Sequence, residues 1–309
     1  MGRVNPRRHR ALALLIAGAL GAGALAQAGC GASGDDAVAQ AADATSKQNT
    51  FRLHQTTSAS ILGRAVTFRS DGEIDVRRRL SHATLDLSSL RGLAPAEVDK
   101  LGGEAALKGD LVVDRGVLDL RLGVLRNGLK RVLHRDPGEW AQVDVAALGK
   151  KLGFDLTSLV SSATTSREQA VGYLRALTSS LKKLGGETID GTPTTHYRGT
   201  LDFAHLPANS IPPQTRKLFT QIAQLLKRTG ASTKLPVDVW VDRDHLVRRE
   251  AFTQSISGAQ TTTAIAFTDY GKAIDVAVPA KTYDLVKLID QVAPGTLSGL
   301  GGLGGSAAR

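Results

Sequence analysis

Residues 235–256 read LPVDVWVDRDHLVRREAFTQSI and predict two antiparallel strands joined by a tight turn. In the first strand Val237, Val239 and Val241 alternate with aspartates and a tryptophan, and this period of two places the valines on one face of a sheet. The turn falls at Asp242–His245, and the chain then returns through β-branched and aromatic residues interrupted by three charges. The hairpin therefore predicts a sheet with one apolar face, which another layer must cover.

Composition and charge narrow the class of protein. The chain has 309 residues, enough for one large domain or two small ones, and 42% of them are hydrophobic. The formal net charge is +10, but four of the 39 basic residues lie within the first ten positions; without them 35 Lys and Arg face 29 Asp and Glu, a net of +6. No basic stripe interleaved with aromatic residues accompanies this charge. We therefore expect no nucleic-acid partner, and a mildly basic surface facing anionic lipids.

The N-terminus has the three-part layout of a secretory signal peptide. A basic segment, Met1–Arg10, precedes an apolar run, Ala11–Ala26, that is short for a membrane span. The tetrapeptide Ala28–Gly31 resembles a bacterial lipobox, whose cysteine, here Cys30, becomes the lipidated first residue of the mature chain. Gln27 departs from the aliphatic residue usual at its position, and ordinary cleavage at an Ala-x-Ala site is the alternative. Cys30 is the only cysteine, so no intramolecular disulfide forms.

Further hairpins precede and follow a central helical region. Alternating residues predict a turn at Ser70–Gly72, a hairpin over Asp110–Leu122, and another over Glu187–Phe203 with Asp-Gly at its turn. Two more strands are predicted after the opening hairpin, over Thr261–Thr268 and Ala273–Val278. The strands number about ten and succeed one another as hairpins, which is typical of an antiparallel sheet.

Two longer segments have the spacing of amphipathic helices. Ser166–Leu184 keeps one face apolar and is followed by a Gly-Gly pair that would end a helix. Gln214–Thr229 has leucines and an isoleucine on one side and basic residues opposite. Together with the strands they predict an α+β fold in which helices cover the apolar face of one long sheet.

Motifs that would carry catalysis are missing or lack their context. Gly299–Gly304 matches G-x-G-x-x-G but follows no strand and opens no helix, and His134–Asp136 lacks the rest of a kinase catalytic loop. The histidines are scattered singly, so they predict no metal site. His196 and His245 lie on neighbouring hairpins, where an acid–base pair or ordinary surface histidines are both possible. We expect no enzyme and no cofactor.

Four short stretches carry a family resemblance. They are the run from Gly191 through Thr194-Thr195-His196-Tyr197, the strand 235–242 with Leu246–Arg249 after it, Trp140-x-x-Val-Asp, and Phe267–Pro279 with its Asp-Tyr-Gly. With these stretches the sequence resembles the LppX/LprG-type lipoproteins of mycobacteria and related actinobacteria, which share a fold with the LolA/LolB lipoprotein carriers. The resemblance covers about residues 51–289. It implies a single large, curved, mostly antiparallel sheet, a half-barrel, whose concave apolar face is covered by helices around a lipid cavity.

The resemblance and the signal sequence divide the chain into four parts. Residues 1–29 are a lipoprotein signal peptide, and 30–49 are a tether after lipidated Cys30. Residues 50–292 are a LolA-like lipid-binding domain, and 293–309 are a disordered Gly-rich tail. The inward positions of the predicted strands are the candidate lining of the cavity: Phe68, Ile74, Val76, Leu118, Leu120, Leu122, Leu201, Phe203, Val237, Val239, Ile265 and Phe267.

These expectations leave three functions open. The first is a lipoprotein, anchored to the outer face of the cytoplasmic membrane, that binds an acyl lipid, glycolipid or lipidated cargo for transport or presentation, with a membrane transporter as a possible partner. The second is a non-transporting accessory or sensor lipoprotein with the same fold and a collapsed cavity. The third is a secreted hydrolase. For any one lining residue, plain core packing is the alternative to a site.

Overall fold

The computed structural model describes residues 34–61, 63–152, 181–205, 216, 219–220, 223–224, 226–227, 231–256 and 259–292. These residues form twelve strands: β1 (Thr50–Ile61), β2 (Arg64–Asp75), β3 (Leu80–Asp86), β4 (Lys108–Asp114), β5 (Val117–Leu122), β6 (Ala141–Val143), β7 (Lys182–Ile189), β8 (Thr192–Asp202), β9 (Lys234–Asp242), β10 (Val247–Ile256), β11 (Ala259–Thr268) and β12 (Tyr283–Asp284).

Helices are fewer and mostly short. Five are described end to end: α1 (Gly34–Lys47), α2 (Pro95–Lys100), α3 (Gly123–Leu133), α4 (Val145–Leu152) and α5 (Leu285–Val292). Two 3₁₀ turns, Ser88–Gly92 and Glu104–Leu107, flank α2. Of the predicted helix Gln214–Thr229, the seven described residues between Arg216 and Lys227 are all helical; we call this segment the Phe219 helix.

All twelve strands belong to one sheet, in the order β12-β6-β5-β4-β3-β2-β1-β11-β10-β9-β8-β7. Every neighbouring pair is antiparallel except β12 with β6. The two ends of this order, β12 and β7, do not pair with each other, so the sheet is open. The predicted fold class, one large and mostly antiparallel α+β sheet in a half-barrel arrangement, is confirmed.

The hairpin of β9 and β10 is confirmed and defines the two faces of the sheet. Val239 pairs with Glu250, and a bulge at Arg248 shifts the register near the turn. Asp242 holds the turn, since its Oδ1 accepts hydrogen bonds from the backbone N–H groups of Asp244 and Leu246 at 2.9 and 2.8 Å. We call the face that carries the β9 valines the inner face, and the opposite face the outer face.

The turn predicted at Ser70–Gly72 is wrong. β2 continues through these residues, and the chain reverses four residues later, at a turn that ends with Arg79 at φ 55°. The aspartate of the triplet contacts His54 on β1, Oδ1 to Nδ1 at 2.6 Å. The glycine makes room for Leu53, whose side chain lies 3.2 Å from the place a Cβ would take. This Asp-Gly pair therefore serves contacts between strands rather than a turn.

The helix predicted over Ser166–Leu184 is wrong at its C-terminal end, because residues 182–189 form β7; residues 166–180 lie outside the described part of the chain. β7 pairs with β8, with a register shift between Lys183 and Gly185, whose φ is +145°. Hydrogen bonds to β8 outweigh the helical spacing of the leucines here. The charged, bulged strand suits the edge of an open sheet.

The strand predicted over Ala273–Val278 is also wrong. These residues have no regular secondary structure. Val276 is buried against Leu80 and Val112, which lie on the outer face of β3 and β4. The alternation of apolar residues in this segment therefore reflects packing onto the sheet and not pairing with it.

Two glycines give opposite expectations for stability. A Cβ on Gly109 of β4 would lie 2.0 Å from the carbonyl oxygen of Arg121 on the neighbouring strand. Gly109→Ala must therefore push β4 and β5 apart, and we expect a loss of about 1–3 kcal/mol in the free energy of unfolding. Gly128→Ala, inside α3 with no atom near its Cβ position, is the matched control and should gain about 1 kcal/mol. Urea unfolding of both variants measures this, and a neutral Gly109→Ala contradicts the strand spacing.

Candidate functional site

The inner face has an apolar floor on either side of β10. Its centre is built by alternate residues of three strands: Leu201 of β8, Val237 and Val239 of β9, and Ile265 and Phe267 of β11. Each of them is at most 2% exposed. The period of two that the opening hairpin showed in the sequence thus extends across neighbouring strands and places these side chains in one layer.

Most predicted lining residues meet on this floor. Phe68 lies in a separate cluster with Ala59 and Val66, and Leu118 and Leu120 lie in another near β6. Leu122 is half-buried and belongs to none of these clusters. The remaining residues form one buried cluster with Val76 packed against it: Ile74, Leu201, Phe203, Val237, Val239, Ile265 and Phe267.

In the described part of the chain, two helices pack against the floor. Val38 and Ala41 of α1 are fully buried in the floor cluster, and the Thr45 hydroxyl accepts a hydrogen bond from the backbone N–H of Val247 at 3.0 Å. The expected tether 30–49 thus contains a helix that packs against the domain. In the Phe219 helix, Phe219 meets the ring of Phe203 edge-on, with centroids 5.6 Å apart.

A polar strip borders the apolar floor. It consists of inner-face residues on four adjacent strands: Ser70 of β2, Gln55 and Thr57 of β1, Thr263 of β11, and Glu250 of β10. Thr57 and Thr263 share a hydrogen bond between their hydroxyls at 3.1 Å, and Gln55 donates to Thr57 at 3.3 Å. The inner face is therefore amphipathic, with the polar strip between the floor and the Phe68 cluster.

Glu250 is the charged member of the strip. It pairs with Val239 on one side and Ile265 on the other, and it is 2% exposed. No described residue hydrogen-bonds to its carboxyl group, and burial alone raises its pKa to about 8. A carboxyl group in such surroundings holds its proton at neutral pH, because ionisation without a partner is costly in an apolar environment.

Sequence reasoning missed Glu250, although a signal for it was present. In a strand that alternates, Glu250 has the same parity as Phe252, and both lie on the inner face. The charges of the neighbouring Arg248 and Arg249 made the whole triplet resemble a solvated edge. Register with β9 was needed to separate the buried glutamate from the two arginines.

His196 takes part in a closed cluster on the outer face and forms no pair with His245. Its Nδ1 lies 2.8 Å from Glu187 and its Nε2 lies 2.6 Å from Asp238, while its ring stacks on Trp240 with centroids 4.2 Å apart. Trp240 donates from Nε1 to Glu187 at 2.8 Å; this bond and the contact with His196 lower the pKa of Glu187. Both ring nitrogens are engaged and the ring is buried, so the geometry is that of a structural cluster.

A polar groove of about 570 Å³ lies on the outer face over β2 to β5. Asp110 is at its base and receives Arg121 Nε at 2.9 Å and His82 Nε2 at 3.0 Å. Burial opposes ionisation of Asp110, but the two hydrogen-bonding partners outweigh it and lower its pKa. Two ion pairs, Arg121–Asp110 and Lys108–Asp86, lie along the groove, beside apolar surface such as that of Leu85.

Neither a metal-binding cluster nor a membrane-spanning helix occurs among the described residues. In the described ranges no cluster of three or more His, Cys, Asp or Glu side chains is arranged to hold a metal ion. No helix in the described part of the chain has both the length and the apolar character to cross a membrane. Residues 153–180 and 206–215 lie outside the described part, so the cavity between sheet and helices stays a prediction.

Comparison with known proteins gives limited likenesses. No protein-family model matches the chain. An uncharacterized 31.2 kDa protein of Streptomyces griseus, from the rplA-rplJ intergenic region, is 30% identical over 159 residues, which is half of each chain. The lipoprotein LppX of Mycobacterium tuberculosis covers 78% of this chain and 96% of its own at 16% identity, with a TM-score of 0.43. LprF of Mycobacterium bovis covers 77% and 93% at 12% identity, with a TM-score of 0.42.

The buried glutamate predicts a distinct pH dependence of stability. Between its ordinary pKa of 4.5 and about 8 in the folded protein, the folded state holds the proton that the unfolded state releases, so stability falls as pH rises through this window. Glu250→Gln has no ionisable side chain at this position and therefore removes this pH-dependent contribution to stability. We expect the free energy of unfolding of the variant, relative to the wild type, to rise by about 1.4 kcal/mol per pH unit there.

Urea unfolding at several pH values across the window measures the difference. Glu187→Gln is the control: the pKa of Glu187 is lowered from 4.5, so its contribution changes only below this window, and its difference from the wild type should stay constant across it. Among the described neighbours, the Tyr270 phenol is the titratable group coupled to Glu250, and its pKa is raised by burial far above this window. A difference for Glu250→Gln that does not change with pH contradicts the burial of an unpaired carboxyl group.

Proposed function

We propose that this protein is an envelope lipoprotein that binds an acyl lipid, a glycolipid or a lipidated cargo between its sheet and the covering helices, for transport or presentation. The observation that carries the proposal is the amphipathic inner face: an apolar floor of fully buried side chains bordered by the polar strip. Acyl chains have an apolar body and a polar end, and this face offers a surface for each part. The family resemblance of the sequence leads to the same function.

Burial of the acyl chain can provide the binding free energy without a strong polar contact. Each methylene group taken from water contributes about 0.8 kcal/mol. The floor residues are aliphatic and aromatic, so a hydrocarbon chain that replaced the covering helices would leave no described floor residue with an unpaired polar group. Glu250 is a polar side chain set among them. Selectivity would then come from the polar strip, where hydrogen-bonding groups meet the end of the chain.

The proposed location of the protein is the outer face of the cytoplasmic membrane. Residues 1–29 are the proposed signal peptide, and Cys30 is the proposed lipidated residue. Helix α1 begins at Gly34, only a few residues after Cys30, and packs on β9 and β10. This short spacing would hold the inner face close to the membrane, where acyl lipids are available. A membrane transporter is the proposed partner for delivery.

One observation favours the second candidate, an accessory or sensor lipoprotein of the same fold with no cargo. Val239, Ile265 and Leu201 have no exposed surface, so the centre of the floor is fully packed in this conformation. A protein that never opens would show the same packing. The two candidates differ in whether the helices separate from the sheet to admit a chain.

Native mass spectrometry decides between the two candidates. We expect protein extracted from its own cell envelope in mild detergent to carry a non-covalent acyl lipid, and delipidated protein to take up a fluorescent fatty-acyl probe. Replacing floor residues with smaller ones, as in Val239→Ala, should weaken probe uptake, while Thr253→Ala on the exposed outer side of β10 is the matched control. Protein that retains no lipid and takes up no probe supports the accessory candidate.

The anchor is tested separately. We expect Cys30→Ala to move the protein from the membrane fraction to the soluble extracytoplasmic fraction, because two or three acyl chains attached at one residue supply the anchoring energy. Metabolic labelling with an alkyne fatty acid should mark the wild type and leave the variant unlabelled. Quantitative retention of Cys30→Ala in the membrane fraction contradicts lipidation as the anchor.

A further inference from the structure

Glu250 has a place in the fold that packing alone does not explain. It lies where the polar strip meets the apolar floor, between Val239 and Ile265, each with no exposed surface. The other buried members of the strip satisfy one another: Thr57 bonds Thr263 at 3.1 Å. The carboxyl group of Glu250 has no such partner among the described residues. A leucine or methionine at this position would extend the floor and remove a buried polar group.

The chemistry of an enclosed carboxyl group limits what it can bind. In apolar surroundings the neutral form is favoured, and a neutral carboxyl group has one O–H donor. The natural partner of that donor is an uncharged acceptor such as a carbonyl oxygen. Acylated ligands carry a carbonyl group of this kind, as ester or amide, at the point where each hydrocarbon chain begins.

We infer that Glu250 donates a hydrogen bond to the ester or amide carbonyl of the bound ligand, so that the inner face selects acyl chains over plain hydrocarbon chains. This rests on the proposed function and specifies its ligand. The chain lies on the floor of Val237, Val239 and Ile265, and its carbonyl end reaches the polar strip. No bond is made or broken, and no cofactor is needed.

The outer face shows why a purely structural role does not fit. The buried or half-buried carboxyl groups there have donors: Asp242 receives Arg248 Nε at 2.5 Å and Asp238 receives Arg198 Nε at 2.7 Å. Asp119, whose pKa is also raised by burial, receives the Gln142 amide at 3.4 Å. On the outer face, buried carboxyl groups that contribute to stability are therefore hydrogen-bonded by a neighbouring side chain. At Glu250 the described residues supply no donor, and the unsatisfied group faces the layer in which the ligand is placed.

The test compares two glycerolipids that differ only at the carbonyl groups. The full chain carrying Cys30→Ser, exported without its acyl anchor, is titrated with dioctanoylglycerol, which has ester carbonyls, and with dioctylglycerol, which has ether oxygens and no carbonyl. Displacement of a fluorescent acyl probe gives both dissociation constants. The titrations are repeated with Glu250→Gln, which keeps an N–H donor, and with Glu250→Met, which has a similar length and no donor.

We expect the wild type and Glu250→Gln to prefer the ester over the ether by about five- to tenfold, the effect of one buried hydrogen bond. Glu250→Met should bind both compounds with the affinity that the wild type has for the ether. Because Glu250→Met removes a buried unpaired group, it should unfold at a higher urea concentration than the wild type, which separates lost selectivity from misfolding.

Three results would overturn the inference. Equal affinity of the wild type for ester and ether, or a preference that survives in Glu250→Met, shows that Glu250 does not contact the carbonyl, while acyl-lipid binding itself stands. Tighter binding of octylamine than of either glycerolipid, lost in Glu250→Gln, shows a carboxylate that pairs with a cation instead. If none of these probes binds, the proposed lipid-binding function is contradicted, and the inference about Glu250 with it.

Discussion

The structure depends on one constraint, which is that a sheet of twelve strands with alternating side chains buries one face only if something covers it. The β9 valines, Ile265 and Phe267 form that face, and among the described residues α1 and the Phe219 helix pack against it. Helices that lie on a sheet as separate elements can move without breaking the ladder of backbone hydrogen bonds. Under the proposed function, the covering layer is the part of the fold that moves to admit a ligand.

Hairpins with local turn signals were predictable from sequence, and long-range packing was not. Asp190 and Gly191 both have positive φ, at 48° and 79°, as an Asp-Gly hairpin turn requires. The Asp-Gly at residues 71–72 is the same dipeptide in the middle of a strand, where contact with Leu53 decides its role. An Asp-Gly dipeptide permits both a turn and a strand, and the neighbouring strands determine which conformation it adopts.

The same limit applies to the candidate site. Periodicity identified the floor residues, because inward positions of any strand share a face, and seven of the twelve predicted residues lie in one cluster. It did not separate them from Leu118, Leu120 and Phe68, which face the same way but pack elsewhere along a wide sheet. Nor did it identify Glu250 as buried, since charge in a strand usually indicates solvent. The register across β9, β10 and β11 shows on which face Glu250 lies, and the sequence of a single strand does not contain this information.

The two faces of the sheet differ in the hydrogen-bonding partners of their buried ionisable groups, although both hold a carboxyl group whose pKa burial raises, Asp119 on the outer face and Glu250 on the inner. On the outer face His196 is held between Glu187 and Asp238 and stacked on Trp240, a group of side chains that satisfies itself and stiffens the edge of the sheet. On the inner face Glu250 is buried beside aliphatic residues without a donor among the described residues. Asp119 on the outer face is also buried, but the Gln142 amide donates to it at 3.4 Å. Under the proposed function, the partner of the unpaired Glu250 carboxyl group is the carbonyl of the bound ligand.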